Sequence, residues 1–103
     1  MATAKPFTVV RMEPLHLDAA APLCDMYTLS PFVWKSNSAH DLLVRAVNHS
    51  DTASEKVARI YHGVSTDGLN FAMDAEPVIP PGPSDLDCDG CEDPTVASCE
   101  GVY

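Results

Sequence analysis

The sequence predicts an all-β protein organised around an antiparallel four-stranded meander. Three observations carry that prediction. Short runs of β-branched and aromatic residues recur from residue 31 onward, with polar turns between them. One run alternates strictly between two faces. Nine prolines and five glycines in 103 residues oppose long helices, because each proline fixes φ and removes a main-chain donor.

Taken in order, residues 8–12 (TVVRM) read as a short strand, and residues 18–23 (DAAAPL) as a helical turn that Pro22 cuts off. Residues 1–28 are assigned to a lead-in segment, and residues 29–103 to the β domain. Residues 31–35 (PFVWK) and 42–47 (LLVRAV) form a hairpin around the polar turn 36–41 (SNSAHD). After the polar connection 48–56, residues 57–65 (VARIYHGVS) make a third strand. Val57, Arg59, Tyr61, Gly63 and Ser65 lie on one face; Ala58, Ile60, His62 and Val64 lie on the other. Thr66, Asp67 and Gly68 turn the chain, with Asp67 explained by turn chemistry, and residues 69–73 (LNFAM) follow as a fourth strand.

A four-stranded meander exposes two faces and two edges, and radial repetition as blades of a β-propeller is one way to cover them. Repetition is faint here: Ser30 to Lys35 is echoed by Asp93 to Ser98, with Pro31 and Pro94 63 residues apart. Glu100 and Gly101 read as a turn, and Val102 and Tyr103 as the opening of a strand. The expectation is a fragment of about one and a half blades.

The formal charge is −9, with net −1 over residues 1–51 and net −8 over residues 52–103. Such a chain repels phosphate backbones and anionic lipid, so neither nucleic acid nor membrane is an expected partner. No apolar stretch is long enough for a spanning helix, and Lys5 and Pro6 interrupt the region where a signal peptide needs an apolar run. The expected location is the cytoplasm, with Cys24, Cys88, Cys91 and Cys99 as reduced thiols.

The acidic stretch 84–96 (SDLDCDGCEDPTV) admits several readings. Asp85, Asp87 and Asp89 followed by Gly90 match the opening of an EF-hand calcium loop. Val96 then stands where a bidentate glutamate is required, and Pro94 interrupts the loop. Cys88 and Cys91, with Cys99 nearby, have zinc or redox spacing but offer three ligands rather than four. No metal is therefore assigned. A solvated acidic loop with incidental thiols needs no function at all. The remaining reading is a carbohydrate-active carboxylate, which protonates a leaving oxygen if crowding or burial keeps its proton on near neutral pH. Asp93, fixed before a proline that begins a strand, suits that role; spacing does not separate it from Asp89 or Glu92.

Several segments occur in a telling order. These are Ser30-Pro31-Phe32-Val33-Trp34, Leu42 to Asn48 (LLVRAVN), Arg59-Ile60, Val64 to Phe71 (VSTDGLNF), Glu76 to Pro80 (EPVIP) and Gly90 to Val96 (GCEDPTV). Together they resemble the first blade and a half of the five-bladed β-propeller β-mannoside phosphorylases of glycoside hydrolase family 130, over residues 29–103. The resemblance implies cleavage of β-mannosidic bonds with inversion, by phosphate or by water. It implies Asp93 as general acid, acting through a hydroxyl of the mannosyl ring, and Arg45 as an anchor for sugar hydroxyls. Ser30 stands where the family often has asparagine, and Glu92 flanks the acid; both are expected to contact substrate. Thr95 departs from the arginine common after Asp-Pro. The implied substrate is a β-mannoside or oligosaccharide with inorganic phosphate as co-substrate, no further cofactor, and a homo-oligomeric intact enzyme. The fragment by itself is expected to be inactive. The alternative is a non-catalytic propeller fragment or a calcium-binding acidic module. Trp34 is a sugar-stacking candidate, though an aromatic in a strand is more often core. His40, His49 and His62 have no metal spacing and read as structural or surface histidines.

Overall fold

The computed structural model of the protein describes residues 6–84, 88 and 90–102. Five strands, β1 (His16–Asp18), β2 (Tyr27–Ser36), β3 (Ala39–Val47), β4 (Ala58–Ser65) and β5 (Asn70–Met73), form one sheet in the order β1-β5-β4-β3-β2. The all-β expectation holds, and β2 to β5 form the expected antiparallel meander. The sheet is nevertheless mixed and five-stranded, because β1 pairs with β5 in parallel through His16–Asn70, Leu17–Phe71 and Asp18–Ala72. This strand comes from the lead-in segment. It is too short for alternation to show, and its parallel partner lies more than fifty residues away.

The β2–β3 hairpin is tighter than its polar composition suggests. The strands extend through Ser36 and Ala39, so only Asn37 and Ser38 turn, and Asn37 takes a left-handed φ of 52°. Side chains decide polarity along a strand, whereas pairing is a main-chain matter, so polar Ser36, His40 and Asp41 remain in the ladder with Ala39. Residues 8–12, expected as a strand, are exposed and unpaired in the sheet. Residues 94–98, the expected counterpart of 31–35, form no strand either. The turn at Glu100 and Gly101 is present: both have positive φ, and Cys99 and Val102 exchange two main-chain hydrogen bonds across it.

The core lies on one face. Alternation points Leu42, Val44 and Ala46 of β3 to the same side as Tyr61 of β4 and Phe71 of β5. Leu23, on a 3-10 turn at Leu23–Asp25, covers them together with Leu17, Ala19, Met26 and Met73. Burying each large apolar side chain contributes roughly 1.5–3 kcal/mol. The lead-in segment thus supplies the lid of the core. Among the described residues, no helix is long and apolar enough to cross a membrane.

Candidate functional site

The other face of the sheet carries the polar residues. In β3 the side chains that alternate with the core set are Asp41, Leu43 and Arg45, and the neighbouring β4 presents His62 and Ile60 on that face. Arg45 pairs with Ile60 on one side and Leu29 on the other. Ser30 follows Leu29 within a bulge, where the β2–β3 register shifts before Phe32, and it takes a left-handed φ of 50°. The bulge therefore sets Ser30 beside the Leu29–Arg45 pair, at an exposed position.

After β5 the chain returns along the edge of β4. Asp74 N–H donates to His62 O (2.9 Å), Val78 N–H to Ile60 O (2.8 Å), and Ile60 N–H to Ile79 O (3.1 Å). Further on, Cys91 N–H donates to Ala58 O at 3.0 Å. This path delivers the next two residues to Arg45. The guanidinium Nη1 donates to Asp93 Oδ1 at 3.2 Å and lies 3.6 Å from Glu92 Oε2. Arg45 is 23% exposed, while the Asp93 side chain is 70% exposed. Arg45 Nε is buried with no hydrogen-bond partner. Two carboxylates thus stand beside one arm of the guanidinium fork, which can donate to more than one acceptor at once.

Three of the four residues expected to form a site are therefore in contact, and Ser30 stands one residue from the strand pair that holds Arg45. The support for Asp93 differs from the expectation in two respects. Its side chain is not buried, and Pro94 begins no strand. Asp93 instead takes a left-handed φ of 47°, which aspartate tolerates better than most residues, and it is held by Arg45 and by the main-chain tether at Ala58.

A second polar cluster occupies the same face. His62 Nε2 lies 2.8 Å from Asp41 Oδ1 and His62 Nδ1 3.3 Å from Asp74 Oδ2, while Ser36 Oγ–H donates to Asp41. The chain of contacts runs from β2 across β3 and β4 to the residue after β5. Only the doubly protonated ring donates both histidine contacts. Ser36 is the main reason the Asp41 carboxyl is held below its usual range; burial opposes this, and His62 adds to it. The phenyl ring of Phe32 and the imidazole of His62 flank Trp34, with ring centroids 6.1 and 6.2 Å away. Trp34 is half-buried against them, nearer the core expectation than an open stacking platform. The sequence identifies His62 but not its two partners. The usable signal was register: once Leu43 faces His62, Asp41 becomes its diagonal neighbour.

At the β4–β5 turn, Asp67 accepts from the main-chain N–H groups of Asn70 and Leu69, from Asn70 Nδ2 and from Ser65 Oγ. The Asn70 N–H is the largest influence holding this carboxyl well below the usual range. The proposed calcium ligands Asp85, Asp87 and Asp89 lie outside the described residues. Among the described residues, no three His, Cys, Asp or Glu side chains are grouped to hold a metal, and no disulfide joins the cysteines. The chain matches no family model, no curated protein and no solved structure.

Proposed function

We propose that the protein acts on carbohydrate and breaks β-mannosidic bonds, by inverting phosphorolysis with inorganic phosphate or by hydrolysis, with the sheet serving as one blade of a five-bladed propeller enzyme. The observation that carries this reading is the meeting of Arg45 and Asp93. They are 48 positions apart, are the anchor and acid that the family resemblance implies, and stand 3.2 Å from each other on the polar face.

In this mechanism the terminal nitrogens of the Arg45 fork hold two hydroxyls of the mannosyl ring. As general acid, Asp93 would give a hydrogen to a ring hydroxyl, which passes its own to the departing glycosidic oxygen. A phosphate oxygen, or a water that releases its surplus proton to bulk solvent, attacks the anomeric carbon from the opposite side, and the carbon–oxygen bond to the leaving sugar breaks with inversion. Exposure of Asp93 leaves the Arg45–Asp93 pair open on its outer side to an approaching sugar. Glu92, 3.6 Å from Arg45 Nη1, borders that approach.

The test is incubation of the full-length protein with β-1,4-mannobiose, with and without inorganic phosphate. Mannose 1-phosphate as product identifies phosphorolysis, and free mannose identifies hydrolysis. Asp93→Asn is expected to lower turnover by roughly 10²- to 10⁴-fold with an unchanged melting temperature. Turnover equal to the wild type overturns the assignment.

A further inference from the structure

The segment that brings Glu92 and Asp93 to Arg45 crosses β4 at a point of very close main-chain approach. Gly90 bridges Ala58, and the following Cys91 N–H donates to Ala58 O. A Cβ at position 90 would stand 2.4 Å from Ala58 O and 2.5 Å from Ala58 N. Both obstacles are main-chain atoms of a central strand, and Ala58 is itself buried and paired with Val47 on its far side. The strand therefore has no room to yield. Gly90 also has a φ of +116°, which side chains of L-residues rarely adopt.

The crossing lies close to the site in both directions. Along the chain, Asp93 is three residues beyond Gly90. Across the sheet, the Val47–Ala58 pair is two positions from Arg45–Ile60.

We propose that Gly90 is the positioning residue for Asp93: its missing side chain lets the main chain seat against Ala58, and that seating sets the carboxylate against the Arg45 guanidinium. The consequence for turnover rests on the carbohydrate reading above, whereas the geometric consequence does not.

The matched control is Gly101→Ala. Gly101 shares a positive φ, +81°, but nothing lies within 4 Å of the Cβ it would gain. Nitrogen-15 spectra of the arginine side chains report the ion pair, with Asp93→Asn marking the unpaired Arg45 signal. Gly90→Ala is expected to move the Arg45 signal to the Asp93→Asn position, while Gly101→Ala leaves it at the wild-type position. In the full-length protein, Gly90→Ala is expected to lower β-mannoside turnover by about 10²-fold, the usual effect of a displacement near one ångström, and Gly101→Ala to leave it unchanged. A folded Gly90→Ala protein that keeps the wild-type Arg45 signal overturns the inference. A shifted signal in a protein whose wild type cleaves no mannoside supports the positioning role and overturns the carbohydrate reading. If Gly90→Ala does not fold, amide exchange in the wild type decides. Protection of Cys91 N–H by about tenfold or more over an unstructured peptide supports the seating, and exchange at the peptide rate overturns it.

Discussion

At the scale of single residues, two aspartates show how environment assigns different work to one side chain. Asp67 is enclosed by donors from its own turn, so its partners were legible in the Ser-Thr-Asp-Gly sequence: each lies within three positions. Asp41 depends on Ser36 and His62, five and 21 positions away, and no local pattern announces that. Both carboxyls are held below their usual range in the folded protein. Their contribution to stability is therefore full above the ordinary aspartate range near pH 4, and it is lost as the pH falls through the lower folded values. Asp67→Asn and Asp41→Asn are expected to melt at lower temperature at pH 7, with the gap to wild type narrowing progressively as the pH falls below about 4. Scanning calorimetry across that range checks both, and a gap independent of pH contradicts the assignment. At the candidate site, Arg45→Lys keeps the charge but loses the planar fork and Nε. On the carbohydrate reading proposed above, it is expected to raise KM for β-mannoside more than tenfold, about 1.4 kcal/mol of binding, in steady-state kinetics.

At the scale of elements, the hairpin of β2 and β3 was visible in the sequence, while its exact turn was not, because polar residues continue to pair. The bulge at Ser30 also escaped. A register shift leaves no mark in hydrophobic alternation when Pro31 and exposed side chains surround it. Gly63 of β4 has a clearer consequence. It pairs with Met73, and a Cβ there would lie 2.3 Å from Met73 Sδ and 3.0 Å from Ala72 O. Met73 can rotate its sulfur away, but the Ala72 carbonyl is fixed in the ladder. Gly63→Val is accordingly expected to destabilise the protein by about 1–3 kcal/mol in urea denaturation and to weaken amide protection in β5 first.

For the whole molecule, the decisive feature is the part played by the lead-in segment. Leu23 is buried over Tyr61, Phe71 and the β3 core residues, and β1 extends the sheet beyond β5. Leu23→Ala is expected to cost about 2–5 kcal/mol in denaturant unfolding, as in a filled core, whereas removal of an exposed lead-in side chain such as Val10 costs little. The sequence by itself determined the all-β class, three strand pairings and the turn at Asp67. Those features are written in periodicity and local turn chemistry, which short stretches of chain carry on their own. Tertiary structure decided the parallel addition of β1, the Asp41–His62–Asp74 cluster and the seating of Gly90 on Ala58. Each depends on main-chain register between segments distant in sequence, and register is chosen by the packing of the entire sheet.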